Sequence, residues 1–418
     1  MLVENSFPAD PRVRNEAATL VANGYRVSVI SLRSPEQPWR EEVDGVMVYR
    51  VPRLTVFEKL PHGNPTGLAK LAHTTRNVFG YLTEYCYFTT ACLGLSVYLL
   101  ATEGFDVIHA HNPPDTLAVV TGLQRLLGRK VVFDHHDLSP ELYLSRYPGN
   151  AEGFITRGLR MFEKLSIKCA HVVIATNESY RAIDIERNGA SPDRVFVVRN
   201  GPDARRVHLT APDARLRSLN KKILVYVGAM NPQDGLEYLL TAIAHLVRDL
   251  KRTDFYCVLI GSGDSLAELR AQAKALEIAD YVEFTGFIPD DDLLRYLSTA
   301  DICLDPNPSS PLNDVSTWIK VMEYMALAKP VVSFDLKETR VSAGDAAVYV
   351  RPNDEAAFAV AVANLMDDPV RCAEMGRCGV SRVKETLGWH VTSENLLRAY
   401  EFLFHGVRVR AAGRASVS

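Results

Sequence analysis

The segment Asn313–Val332, NDVSTWIKVMEYMALAKPVV, holds residue types that can bind a diphosphate and a sugar hydroxyl together. A polar, proline-rich loop precedes a helix predicted near Ser316–Leu327, and Asp314 or Ser316 can cap its start. A helix start carries unpaired N–H groups and the positive end of the helix dipole, which suit phosphate oxygens. Glu323, about two turns further on, can accept hydrogen bonds from ribose hydroxyls. Lys320 lies one turn beyond Ser316 and can lean back toward the helix start. Arg205 and Arg206 are the competing cations. The plainer alternative is a surface pair between Lys320 and Glu323 at i,i+3, worth about 0.2–0.5 kcal/mol. Spacing alone leaves both open.

A second group of chemically able residues is histidine-rich. His135 and His136 close one strand-like run, and His109 and His111 alternate along another. With Asp115, Asp134 and Asp137 they suggest a metal centre. Alternating strand positions do not by themselves gather ligands, so no metal is expected. Gly261-x-Gly263 follows a strand but lacks the third glycine of a dinucleotide fingerprint, and a tight strand-to-helix turn is the expectation.

The elements that must position these residues read as alternating apolar runs and helical periodicity, the pattern of parallel sheets with crossover helices. Val13, Ala17, Leu20 and Val21 share one helical face, and Gly24 is placed to end that helix. Strands are predicted at Arg26–Leu32, Val46–Val51, Asp106–Ala110, Lys130–Asp134, His171–Ala175 and Arg194–Val198. The polar, turn-rich stretch Arg199–Lys222 interrupts the pattern and marks a boundary. The alternation then restarts, with strands at Ile223–Val227, Phe255–Ile260, Tyr281–Phe284, Asp301–Asp305 and Pro330–Phe334. The expectation is two doubly wound α/β units, residues 1–199 and 200–390, then a helix at 391–404 placed to pack on the first unit and a frayed tail at 405–418. Such sheets bind ligands beyond the carboxyl ends of their strands, here in a cleft between the units.

Bulk properties narrow the class. The 418 residues exceed what one core usually serves. A formal net charge of −3 gives no basic excess for nucleic-acid binding. Seven scattered cysteines, with no Cys-x-x-Cys pair, predict a reduced protein without disulfides or structural zinc, and a cytoplasmic setting. Met1-Leu2-Val3 leads straight to Pro8 and Asp10 without a signal-peptide pattern, and the chain is expected to begin inside its first strand. The uncharged stretch Tyr85–Thr102 approaches the length of a membrane span, but its Thr, Ser and Tyr content favours a buried or interfacial helix, with peripheral contact at the inner face of the membrane.

Taken together these segments resemble glycosyltransferase family 4, retaining enzymes of the two-domain GT-B fold. ALAKPVV follows Glu323 as a similar run follows the second of the family's two glutamates. DPRVRNEA with LVANGYRVSVI, DVIHAHNPPD, VVFDHHDLSPE, VVRNGPD, YVGAMNPQDGLEYLL, LIGSGD and VEFTGFIPDDDL occur in the family's order over nearly the whole chain. The resemblance implies transfer of a hexose-type sugar from a UDP- or GDP-sugar to a glycan or lipid-linked acceptor, in cell-surface polysaccharide or glycolipid synthesis. It implies no metal or other cofactor. It places His136 and Glu323 at the reacting centre, and Gly228, Gly261, Phe287, Asp314, Ser316, Thr317, Trp318, Ile319, Lys320 and Glu323 around the donor. Three departures stand out. The first family glutamate falls at Val315, the usual basic pair reads Ala229 and Asp234, and the first loop has Ser6-Phe7-Pro8 in place of two glycines. The competing readings are an epimerase of the same fold and a catalytically silent nucleotide-binding subunit.

Overall fold

The computed structural model describes residues 1–54, 68–147, 149, 151 and 153–406. The strand-like runs of the first unit form one eight-stranded sheet. Its elements are β1 (Leu2–Ser6), α1 (Pro11–Ala22), β2 (Ser28–Leu32), β3 (Arg40–Val43), β4 (Val46–Val51), α2 (Leu68–Thr102) and β5 (Val107–His111). There follow α3 (Ala118–Leu126), β6 (Lys130–His135), α4 (Ser139–Arg146), α5 (Phe154–Cys169), β7 (Val172–Ala175), α6 (Glu178–Glu186) and β8 (Val195–Val197). The strand order is β3-β4-β2-β1-β5-β6-β7-β8. All neighbours are parallel except the β3–β4 hairpin at one edge. Runs such as VVIA in β7 are buried throughout, as expected of strands covered on both faces.

The connecting stretch contains only the short α7 (Ala214–Ser218). A second sheet follows, built from β9 (Lys222–Val227), α8 (Leu236–Arg248), β10 (Phe255–Ile260), α9 (Leu266–Ala275), β11 (Val282–Gly286), α10 (Asp290–Thr299), β12 (Ile302–Asp305), α11 (Ile319–Ala326), β13 (Val331–Phe334), α12 (Lys337–Ala343) and β14 (Ala347–Val350). Its order is β11-β10-β9-β12-β13-β14, all parallel. Strand order therefore reverses between β1 and β5 in the first sheet and between β9 and β12 in the second, where doubly wound sheets open their ligand crevices.

After α13 (Glu355–Met366) and α14 (Pro369–Arg382) the chain returns to the first sheet. The final helix, α15 (Trp389–His405), packs Trp389, Leu396, Ala399, Tyr400 and Leu403 among core residues of α1, β1 and β2. Trp389 Nε1 donates to Thr19 Oγ1 at 2.9 Å. The two passages between the units touch. A Cβ on Gly201 would stand 1.8 Å from the carbonyl oxygen of Leu387, so only glycine permits the crossing. Of the tail expected at 405–418, residues 407–418 lie outside the described residues.

Local rules explain several element ends. Asp10 caps α1 by accepting from the backbone N–H of Arg12 and Val13, with Pro11 in the first turn. The α11-to-β13 turn is less comfortable. Ala328, in ALAKPVV, has φ 56°, a left-handed conformation that costs an L-residue about 1–2 kcal/mol. Replacing Ala328 with glycine is expected to stabilise the protein by about 0.5–1 kcal/mol net of glycine's entropy. Urea denaturation checks this, and a loss of stability would show that the methyl group is needed there.

Candidate functional site

His136 stands directly after β6. Its backbone N–H donates to Asn112 Oδ1 at 2.9 Å, which binds the ends of β5 and β6 together. Its Nδ1 lies 3.6 Å from Asp134 Oδ2, and its side chain is 18% exposed, so the ring is held from behind and open in front. Burial opposes its charge, but Asp134 outweighs this and raises its pKa. Asp134 is itself fixed by Arg12 from α1. Arg12 Nε and Nη2 donate to its two oxygens at 2.6 and 2.7 Å, and Nη1 donates to the Val198 carbonyl at 3.0 Å. Burial works against the Asp134 carboxylate, yet Arg12, His111 and His136 hold its pKa well below the ordinary value.

The adjacent His135 points to the opposite side. Its Nδ1 is 2.6 Å from Asp184 Oδ1 and its Nε2 is 3.7 Å from Glu163 Oε2. Burial disfavours its charge, but those carboxylates raise its pKa to about 9. His135 is thus held in the interior, whereas His136 keeps an exposed edge. Of the histidines and aspartates considered as one metal set, the fold does bring His109, His111 and Asp134 together, with Glu16, against the expectation from alternating strand positions, while Asp115 is held apart by Ser139 and Asn112.

Across the cleft, Gly228 and Gly261 follow β9 and β10. Their φ values are 152° and 133°, and a Cβ on Gly261 would meet the Gly228 carbonyl oxygen at 1.9 Å. The two loops nest backbone to backbone, a closer approach than the strand-to-helix turn expected of Gly261. Phe287 is 86% exposed just beyond β11.

The nucleotide-binding candidate helix starts later than the sequence implies. Asn313–Val315 forms a separate 3-10 turn, and α11 begins at Ile319 after an extended Trp318 with no side-chain cap. Neither Asp314 nor Ser316 caps it. Asp314 accepts from Ser309 Oγ at 3.1 Å. Ser316 Oγ donates to the Leu312 carbonyl at 2.7 Å and meets Tyr180 of the first unit at 3.2 Å. Thr317 Oγ1 accepts from Asn177 Nδ2 at 3.0 Å. Tertiary contacts across the units have taken hydroxyls expected to face the donor. That leaves the first N–H groups of α11, at Ile319 and Lys320, as its unpaired donors.

Lys320 does not pair with Glu323. Only 8% exposed, it donates to Asn307 Oδ1 at 2.6 Å and lies 3.4 Å from Asp305 Oδ1, with its ammonium 4.6 Å from the Tyr226 ring centre. Arg205 is bound to Asp203, and Arg206 reaches Asp290 at 2.6 Å. Glu323 has no hydrogen-bond or ion-pair partner among the described residues, and burial with the nearby Asp290 charge raises its pKa to about 7.

Comparison with known proteins decides the family. The Glycosyl transferase 4-like domain matches residues 9–201, and Glycosyl transferases group 1 matches residues 221–368. A D-inositol 3-phosphate glycosyltransferase of Thermomonospora curvata is 30% identical, the alignment covering 95% of this chain and 91% of that protein. The chain belongs to glycosyltransferase family 4. A phosphatidyl-myo-inositol mannosyltransferase of Mycolicibacterium smegmatis is 26% identical over 76% of each chain. Among solved structures, sucrose-phosphate synthase of Thermosynechococcus elongatus superposes with a TM-score of 0.73 at 20% identity, covering 96% of this chain and 94% of that one. Anabaena HepE, in complex with UDP and glucose, gives 0.69 at 17% identity, covering 96% and 98%. The fold is GT-B, and the protein is a nucleotide-sugar glycosyltransferase.

In this family setting the burial of Lys320 carries a stability cost if it is removed. Asp305 is fully buried and its Oδ1 has no hydrogen bond, so Lys320→Met strands a charge. Such losses typically cost about 3–5 kcal/mol. A urea midpoint unchanged in Lys320→Met would show that the pair contributes nothing.

Proposed function

We propose that the enzyme transfers a sugar from a UDP- or GDP-sugar, with retention, to a glycan or lipid-linked acceptor at the cytoplasmic face of the membrane. The observations that support this reading are His136, held by Asp134 directly after β6, and the unpaired side chain of Glu323 on α11 after β12. The nucleotide lies on the second unit, with its ribose at Glu323 and its diphosphate at the Ile319 and Lys320 N–H groups and the glycine loops after β9 and β10. Charge developing on the diphosphate is stabilised there as the glycosidic bond breaks. Lys320 adds its charge from beneath the loop. His136 faces the sugar from the first unit. Solved relatives in complex with UDP and with UDP-glucose support the donor class. A thermal-shift screen of UDP-, GDP- and ADP-sugars identifies the donor, because a bound ligand stabilises the fold. NMR of the product then reads the anomeric configuration. Turnover of donor without acceptor would mean epimerisation, and binding without transfer or hydrolysis would mean a silent subunit.

Two substitutions separate the roles. His136→Ala is expected to cut transfer by about 100-fold or more while donor affinity holds. Activity within a few-fold of the parent would make the histidine structural. Glu323→Gln is expected to weaken donor binding yet stabilise the fold. The folded pKa near 7 exceeds the ordinary 4.5, so ionising Glu323 costs stability that is absent below pH 4.5 and complete above 7. The gain in Tm from Glu323→Gln should therefore appear above pH 7 and vanish below 4.5. Unchanged donor affinity would remove Glu323 from the site.

Membrane contact is supported by the outer surface of the first unit. The segment Phe79–Thr102 of α2 is long and apolar enough, by length and composition, to cross a membrane. It nonetheless buries Phe88, Cys92 and Leu99 in the core and leaves Val97 and Tyr98 outside. On the same unit, α5 exposes Phe154, Met161 and Leu165 among Arg157, Arg160, Lys164 and Lys168, while its one acid, Glu163, is buried. A basic and apolar face of this kind suits anionic lipid. Vesicles containing phosphatidylglycerol should bind the enzyme at low salt, and Lys164→Glu with Lys168→Glu should weaken that binding by about tenfold or more. Equal binding of parent and variant would place the contact elsewhere.

A further inference from the structure

Behind His136, in the layer between the first sheet and helices α1 and α15, three buried side chains aim unpaired atoms at one point. His109 and His111 leave the same face of β5, with ring centres 4.3 Å apart. Glu16, from α1, lies over them. Its Oε2 is 3.8 Å from His109 Nε2 and 3.9 Å from His111 Nε2. Glu16 and His111 are fully buried and His109 is 1% exposed. Both Glu16 oxygens and both Nε2 atoms have no hydrogen-bond partner.

The outer nitrogens are already held. His111 Nδ1 is 2.9 Å from Asp134 Oδ2, and His109 Nδ1 is 3.0 Å from the Tyr400 hydroxyl. Asp134 is ionised by its bidentate pairing with Arg12, so it accepts, and His111 Nδ1 must carry the proton. The Nε2 of His111 then turns a bare lone pair inward. A histidine whose far nitrogen donates to a carboxylate is oriented as metal-ligating histidines are.

Charge and distance distinguish a metal from a shared proton. Arg12 faces two carboxylates, since its Nε also lies 3.3 Å from Glu16 Oε1, while burial and then the neighbouring Asp134 oppose a negative charge on Glu16. Such a charge calls for a cation. One proton would satisfy a single contact and draw its partners to about 2.7–3.0 Å. Separations of 3.8 and 3.9 Å instead match ligands sharing one ion. An equilateral triangle with edges of that length has its centre about 2.2 Å from each corner, against roughly 2.0–2.2 Å for zinc bonds to nitrogen and oxygen.

We propose that Glu16, His109 and His111 bind one divalent transition-metal ion of the zinc class, the preference of a two-histidine, one-carboxylate set. The site is structural and separate from the donor cleft. It ties α1 to β5 and, through Tyr400, to α15, three segments far apart in sequence. A cavity of about 570 Å³ borders His109 and Tyr400 and offers the ion a path inward.

The test uses the full chain, stripped with a chelator and returned to chelator-free buffer. Co²⁺ should bind with one equivalent and the visible absorption of a low-coordinate site, and Zn²⁺ should displace it and raise Tm. Glu16→Gln and His111→Ala should each lose the stoichiometric binding, while His245→Ala, on α8 of the second unit, keeps it. Failure of the stripped parent protein to take up Co²⁺ or Zn²⁺ overturns the proposal without needing any variant to fold. So does binding that survives in both site variants.

Discussion

The buried ion pair between Arg12 and Asp134 is the constraint on which the cleft depends. Taking two charges out of water is costly, and good geometry with extra hydrogen bonds must compensate. Here the guanidinium makes two short bonds to the carboxylate and a third to the Val198 carbonyl, while His111 completes the carboxylate. These contacts join the first turn of α1, the ends of β5 and β6, and the start of the passage to the second unit. Removing either partner would leave the other charged and alone, at a cost of about 3–5 kcal/mol. The position of His136 is therefore inherited from a salt bridge that never touches the substrate.

The departures from the family pattern have structural employment. Asp234, at a position where a basic residue is usual, accepts from the Asn231 backbone N–H and closes a capping box before α8. The Ala229 carbonyl accepts from Tyr226 Oη at 2.7 Å. Val315, in the place of the first glutamate, packs against the core of the first unit, and its carbonyl accepts from Asn177 Nδ2. Charges that would face phosphate have been exchanged for contacts that stiffen the loops and bind the two units together. The remaining cation, Lys320, is held by Asn307 and Asp305 below the cleft wall.

Most strands were legible because parallel strands buried on both faces are short apolar runs. The runs at Val46–Val51 and Phe255–Ile260 coincide with β4 and β10 end to end. β3 was not legible. Its sequence, REEV, is polar and half exposed, and it exists because it pairs antiparallel with β4. β14 was missed because, at the edge of its sheet, its run AVYV is only partly buried. The start of α11 was misread because Asp314 and Ser316 are good local caps whose oxygens are used elsewhere, Asp314 by Ser309 and Ser316 by the Leu312 carbonyl and Tyr180 of a distant helix. Lys320 and Glu323 have the spacing of a pair, but the stronger partners of Lys320 come from the loop after β12. Glu16 carried no signal beside His109 and His111, since 93 residues separate it from the nearer one and only the fold joins them.

The crossing at Gly201 has a mechanical consequence. A chain that passes between two bodies once is a tether, and it leaves them free to slide, twist and separate. This chain passes twice, and the passages are pressed together where Gly201 meets Leu387, with Trp389 N–H bonded to the Pro202 carbonyl beside it. Two strands fastened at one place act as a pin. Sliding would pull one passage through the other, whereas turning about the contact needs only small torsional changes spread along both. A few degrees of turning at such a pin become ångströms at residues remote from it.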